Sequence, residues 1–190
     1  MSSASLHLGL DTATAWLSLA LHDPGSGTDL GRVQLLAERR HASLVHTALQ
    51  ELLAGAGAVV QDIGAIGVGT GPGSYTGLRV GLATARGLAT GLDCLLSGSD
   101  SLAAAAWGAL TPGGRAWLAF DARRGNLYAA SFERTETGLL VHAPPQRIAS
   151  AELHEQAAAQ GLQILLDRAP DAAWTARQAA SGDPVDGLYL

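Results

Sequence analysis

Gly67-Val-Gly-Thr-Gly-Pro-Gly-Ser-Tyr-Thr-Gly-Leu-Arg79 is the segment on which the reading of this chain turns. Glycines at alternate positions, Gly67, Gly69, Gly71 and Gly73, leave a short apolar run, turn at Pro72 and open a helix near Ser74. Glycine serves where the backbone needs positive φ or a close neighbour, so Gly69, Gly71, Pro72 and Gly73 form a structural turn of tight geometry. A phosphate loop is the first candidate, and composition rules out its commonest form. All 12 basic residues are Arg, whereas a Walker A loop needs a Lys to reach the phosphates. The dinucleotide fingerprint also fits poorly. Gly69-Thr-Gly71 is followed three residues later by Ser74, Pro72 removes a backbone donor, and no βαβ start precedes it.

Outward from this turn, the pattern is that of an α/β protein. Leu6 to Leu10 alternates with period two, as does Trp16 to Leu21, and Asp23-Pro-Gly-Ser-Gly27 is a turn cluster. A third strand from Gly31 to Ala37 completes an antiparallel meander. Ala42 to Leu53 switches to helical spacing, with Val45, Ala48, Leu49 and Leu52 on one stripe. Ile63 to Val68 is a short buried strand before the glycine turn, and a helix is expected from about Tyr75 to Thr90. Strand 93–97 and helix 102–110 follow. A second set begins after Pro112-Gly-Gly114, with strands at 116–120, 126–132 and 139–142 and a helix at 151–159. From Arg168 onward the periodic signal is poor. Asp11 and Asp121 stand at matching places, each after a first strand and before a second, which marks a weak internal repeat.

Bulk composition narrows the function classes. With 190 residues, 47% apolar and 15% charged, the chain can bury a core of one domain or two small ones. The net charge of −5 argues against nucleic-acid binding by the whole surface. Cys94 is the only cysteine, so neither an intrachain disulfide nor a cysteine zinc cluster is available. No apolar run approaches the roughly 20 residues of a membrane span, and the start does not read as a signal peptide. A cytoplasmic location is expected.

The helix after the turn repeats Gly77, Gly81, Ala85 and Ala89 every four residues, with Gly87 as a further glycine. Each helical glycine costs about 1 kcal/mol relative to Ala, so another element should approach closely. At about 100° per residue, Tyr75, Arg79, Leu82 and Arg86 fall on the other side. That face is either a protein interface or an ordinary surface with snorkelling Arg stems. His41 and His46 are five apart, and their rings face different ways, so one packed and one solvent-facing His is expected rather than a metal pair. Asp11 and Asp121 would either hold a hydrated Mg²⁺ with phosphates across a cleft or cap local turns. Arg123-Arg124 can meet RNA phosphates or simply be solvated. No Ser/His/Asp or Cys/His set has a local signature.

The run from Gly69 to Ala89, GTGPGSYTGLRVGLATARGLA, closely resembles the signature of the TsaB family, also called YeaZ. Leu8-Gly-Leu-Asp-Thr-Ala-Thr14 resembles the family's first strand and its aspartate, His41 to Leu53 its His-Ala helix, and Phe120-Asp-Ala-Arg-Arg-Gly125 with Tyr128 its second-domain turn. The end, Pro184-Val-Asp-Gly-Leu-Tyr-Leu190, loosely resembles a terminal Pro-x-Tyr-Leu-Arg pattern without its Arg. The resemblance implies an actin/Hsp70-like (ASKHA) fold of two RNase H-like lobes with mixed sheets, here 1–110 and a shorter, reduced second lobe 111–190. It implies a non-catalytic scaffold required with the catalytic paralogue TsaD for threonylcarbamoyl transfer to the adenosine beside the anticodon of tRNAs reading codons that start with A. TsaE would join the larger complex, and tRNA would be met only through it. No cofactor or metal is expected, and Asp11 and Asp121 would be a vestigial nucleotide site. Dimers, with itself or with TsaD, would form through Tyr75, Leu78, Arg79, Leu82 and Arg86 on one helix and Val45, Leu49 and Leu52 on the other, giving a four-helix contact. The alternative is a small ATP-dependent kinase-like enzyme of the same superfold using Asp11 and Asp121. A stand-alone RNA-binding module fits less well, for want of an aromatic stacking platform.

Overall fold

A computed structural model describes residues 5–185. Strands β1 (Leu6–Asp11), β2 (Trp16–Asp23) and β3 (Thr28–Leu36) form the expected meander, followed by helix α1 (His41–Gly55), β4 (Ile63–Gly69), α2 (Tyr75–Leu92) and β5 (Leu95–Ser99). Helix α3 (Ser101–Ala109) leads to β6 (Arg115–Asp121), β7 (Asn126–Arg134), β8 (Leu139–Ala149), α4 (Ser150–Ala159) and β9 (Ile164–Leu166). Helix α5 (Ala172–Arg177) and the short β10 (Asp183–Pro184) complete the described chain. No described helix is long and apolar enough to cross a membrane.

Two mixed sheets result. The first has the order β10-β5-β4-β1-β2-β3, with β1 parallel to β4, β4 parallel to β5 and the other pairs antiparallel. The second has the order β8-β7-β6-β9, with only β6 and β9 parallel. Period-two alternation decides which helices cover which face. Leu6, Leu8 and Leu10 of β1 and Leu17, Leu19 and Leu21 of β2 point to one side, where they pack with Val45, Leu49 and Leu52 of α1 and Leu82 and Ala85 of α2. The second sheet is sandwiched. Leu102, Ala105 and Ala106 of α3 meet Leu118, Phe120 and Phe132 on one face, and Leu153 and Ala157 of α4 meet Trp117, Ala119 and Ile148 on the other.

The structure extends β8 through Pro144 and Pro145, seven residues beyond the expected end at His142. As an edge strand it can carry prolines, because one side of its backbone needs no ladder partner. A larger correction concerns the second lobe. The assignment of all of 111–190 to that lobe fails after β9, because α5 and β10 return to the first sheet. Ala172 and Ala173 pack on Ala20, and Cβ atoms at Gly9 and Gly67 would strike the backbone of Ala172 and Thr175. Two charged contacts fasten this return. Arg32 bonds Asp171 at 2.7 Å, and Arg177 bonds Asp29 at 2.9 Å. Burial alone would raise the Asp29 pKa, yet bonds from Arg177, Arg32 and His22 hold it below the ordinary value. The segment 186–190, which carries most of the terminal pattern noted above, lies outside the described residues.

Gly67→Val is expected to displace α5, because the added Cβ meets the Thr175 carbonyl. Overpacking of this kind costs about 1–3 kcal/mol. Trypsin should then cut after Arg168 or Arg177 faster than in the parent protein. Equal cleavage and an unchanged Tm would show that α5 does not rest on this strand.

Candidate functional site

The turn that joins β1 to β2, Asp11-Thr-Ala-Thr14, lies against the glycine segment singled out by the sequence. The backbone N–H of Ser74 donates to the Ala13 carbonyl at 2.7 Å, and the Thr12 hydroxyl donates to the Gly77 carbonyl at 2.8 Å. A Cβ on Gly77 would collide with the Thr12 carbonyl oxygen, and one on Gly69 with the Asp11 carboxylate. The glycines therefore admit the chain's own hairpin turn, not a phosphate. Gly81 serves the same contact, since its Cβ would strike the Thr12 hydroxyl. Ser74 caps α2, its hydroxyl accepting from Gly77 N–H at 3.3 Å.

Asp11 is sealed beneath this contact, with none of its surface exposed. Its carboxylate accepts from the Ser101 hydroxyl at 2.6 Å and from the Ala13 N–H at 2.8 Å. Burial pushes its pKa up to about 6, against the pull of those two hydrogen bonds. Asp121 is different. It is half-exposed, accepts from the Arg123 N–H at 2.8 Å and pairs with the Arg123 guanidinium at 3.1 Å. A cavity of about 650 Å³ between the lobes is lined by Trp16, Arg39, Tyr75, Phe120, Asp121 and Arg123, but not by Asp11. Of the two readings the sequence offers, a shared metal site or local capping, the hydrogen bonds show the second. Each caps its own turn two residues on, and Asp11 cannot reach a metal in the cleft. Among the described residues no group of three or more His, Cys, Asp or Glu could hold a metal ion.

The expected interface set divides in the same way. Val45, Leu49, Leu52 and Leu82 belong to the core of the first sheet, and Leu78 is buried as well. Their stripe covers the chain's own sheet, so they are unavailable to a partner. Only Tyr75, at 60% exposure, and Arg79 stand fully on the surface, with the Arg79 guanidinium 5.4 Å from the centre of the Tyr75 ring. Arg86 is half-buried and donates to the Val185 carbonyl at 3.0 Å. The face of α2 that does reach solvent carries Thr76, Ala83, Gly87 and Thr90 beside Tyr75 and Arg79. His41 is buried with Nε2 3.2 Å from the Trp16 carbonyl, while His46 is exposed, as the five-residue spacing implied. Sequence reasoning missed Thr12 and Ser101, which hold Gly77 and Asp11. It also missed Glu38, which lines the cavity with a left-handed φ of 51°.

Two mixed sheets linked by α3 and facing each other across a cleft define the actin-like α/β class. The fold matches YeaZ from Pseudomonas aeruginosa with a TM-score of 0.74 at 21% identity, covering 98% of this chain and 100% of that one. A sequence profile of the family described as "TsaD: tRNA N6-adenosine threonylcarbamoyltransferase" matches residues 31–176. The tRNA threonylcarbamoyladenosine biosynthesis protein TsaB of Escherichia coli (strain K12) is 37% identical over 134 residues, which cover 70% of this chain and 57% of the relative. TsaB of Bacillus subtilis (strain 168) is 32% identical over 140 residues, covering 74% of this chain and 60% of the relative. The chain therefore belongs to this threonylcarbamoyltransferase-related family, in its TsaB (YeaZ) branch, and its matches span less than two thirds of the length of those curated relatives.

The raised pKa of Asp11 has a sign that can be tested. Between an unfolded value of 3.8 and a folded value of about 6, the folded protein holds a proton that the unfolded chain has lost. The residue's contribution to stability falls as pH rises through that window and is least favourable above it. A shift of two units corresponds to roughly 3 kcal/mol. Urea titrations should therefore show Asp11→Asn gaining on the parent by about 2–3 kcal/mol between pH ~4 and pH ~7. A difference that stays constant with pH would mean that Asp11 ionises as it does in water.

Proposed function

We propose that this chain is a non-catalytic scaffold subunit that acts with a TsaD-type catalytic paralogue in threonylcarbamoyl transfer to the adenosine beside the anticodon of tRNAs reading codons that start with A. TsaE would act in the same cytoplasmic complex. Family membership supports the pathway, and the burial of Asp11 away from the cleft supports the absence of catalysis. The kinase-like alternative would need Asp11 at the cleft, and the hydrogen bonds to Ser101 and Ala13 bury it.

The observation that carries the scaffold reading is the outer face of α2. Gly77 and Gly81 are explained by the hairpin turn, whereas a Cβ at Gly87 or Gly91 would meet nothing within 4 Å. Interior helical glycine costs about 1 kcal/mol relative to Ala, and the chain's own packing does not require it at Gly87. A smooth exposed stripe with Tyr75 and Arg79 at one end suits close approach of a second helix. The proposed contact is accordingly Tyr75, Arg79, Ala83 and Gly87, in place of the buried leucines and Val45. Both self-association and pairing with the paralogue would use this face.

Light scattering after size exclusion, on the chain mixed with the TsaD of the same organism, tests this reading. Gly87→Trp should abolish the mixed peak without lowering the Tm. Gly87→Ala should raise monomer stability by about 0.5–1 kcal/mol. A mixed peak that survives Gly87→Trp would remove α2 from the interface.

A further inference from the structure

The described residues include five non-glycine positions with left-handed backbone: Glu38, Asp93, Arg123, Arg124 and Asp167. Such a conformation costs of order 1 kcal/mol and persists where surrounding structure imposes it, often at functional sites. Asp93 merely ends α2. Glu38, Arg123 and Asp167 all line the interlobe cavity, and Arg124 adjoins it. The unusual backbone is thus gathered around one cleft.

Each wall of the cleft carries one arginine that lines the cavity, Arg39 or Arg123, with a second, Arg40 or Arg124, next to it in sequence. On the first lobe, Glu38 precedes Arg39-Arg40. The N–H groups of Ala37 and Glu38 both donate to the Ala15 carbonyl, at 2.9 and 2.8 Å, and Arg40 N–H donates to Ala37 at 2.8 Å. On the second lobe, Arg123, Arg124 and Gly125 are left-handed in succession, with φ of 66°, 56° and 74°. Asp121 holds the Arg123 N–H, and the Asn126 amide donates to the Arg124 carbonyl at 3.1 Å. All four arginines are exposed, the Arg123 side chain by 86%. Among the described residues, Arg39, Arg40 and Arg124 enter no ion pair, and only Arg123 is matched, by Asp121. Glu38, Asp121 and Asp167 line the same cavity, so the four arginines outnumber the carboxylates around them by one, in a chain of net charge −5.

We propose that Arg39-Arg40 and Arg123-Arg124 form a two-sided clamp for the phosphodiester backbone of an RNA strand running along the mouth of the cleft. This deepens the scaffold reading and rests on it for the choice of RNA as the anion. The chain would contact tRNA itself, in addition to holding the subunit that modifies it. Phosphate contacts of this kind position the strand without reading its sequence.

Fluorescence anisotropy of a labelled anticodon stem-loop RNA, with the chain alone and saturated with the paralogue, tests the clamp. The paired changes Arg39→Glu/Arg40→Glu and Arg123→Glu/Arg124→Glu should each weaken binding about tenfold or more at about 50 mM salt. Paired Ala changes should flatten the plot of log affinity against log salt by about 1.4, at about 0.7 per phosphate for a single strand. Arg124→Gly relieves the left-handed backbone, so its Tm should hold or rise while RNA affinity falls several-fold. RNA affinity unaffected by all of these variants, in both forms, would overturn the clamp. So would variants that lose the paralogue while keeping RNA affinity, since the arginines would then face an acidic protein surface. Failure of the wild-type chain to bind the paralogue would count against the scaffold alone, because RNA binding by the isolated chain still decides the clamp.

Discussion

The docking of the Asp11-Thr12-Ala13 turn onto the glycine-lined start of α2 is the contact on which the first lobe depends. It joins the first hairpin to the helix through Ser74 and Gly77, and reaches α3 through the bond between Asp11 and Ser101. Three elements distant in sequence thus meet at one turn, whose buried carboxylate makes the bond to α3. Close backbone approach is possible because glycine leaves the space that a Cβ would fill. The same contact decides what the glycines are for: the space beside Gly69, Gly73 and Gly77 is taken up by the chain's own turn.

Most of the architecture was legible because its signals are local. Alternation gave β1, β2, β6 and β7, and helical spacing gave α1 and α2 to within a few residues. The motif from Gly69 to Ala89 carried the family, and with it the actin-like fold. What periodicity does not carry is the identity of the surface that a stripe covers. Val45, Leu49, Leu52, Leu78 and Leu82 look the same in sequence whether they cover the chain's own sheet or a partner, and here the sheet claims them. The helical glycines were read correctly as sites of close approach for Gly77 and Gly81, but only coordinates separate these from Gly87. Asp11 and Asp121 occupy equivalent places in the repeat and have opposite environments, since burial depends on the third dimension.

The C-terminal return was illegible for another reason. Helix α5 spans only six residues, four of them Ala or Thr, so it is too short to show an apolar stripe. Its placement is decided by the gutter that Gly9 and Gly67 leave in the first sheet and by the charges of Arg32 and Asp29, which hold Asp171 and Arg177. Those partners lie more than a hundred residues away along the chain. Non-local electrostatics and backbone fit of this sort leave no local pattern.

That return has a mechanical meaning. The lobes are joined by α3 and again by the segment leading from β9 into α5, and the Trp107 and Trp174 rings, 5.0 Å apart and tilted by 35°, pack together where α3 and α5 meet. The Arg134 guanidinium lies 3.8 Å above the Trp107 ring and also bonds the Leu110 carbonyl, tying β7 into the joint. Opening a joint that is spanned twice would also have to separate the Trp107 and Trp174 rings. A partner seated against both lobes would therefore meet a joint already braced by contacts within this chain.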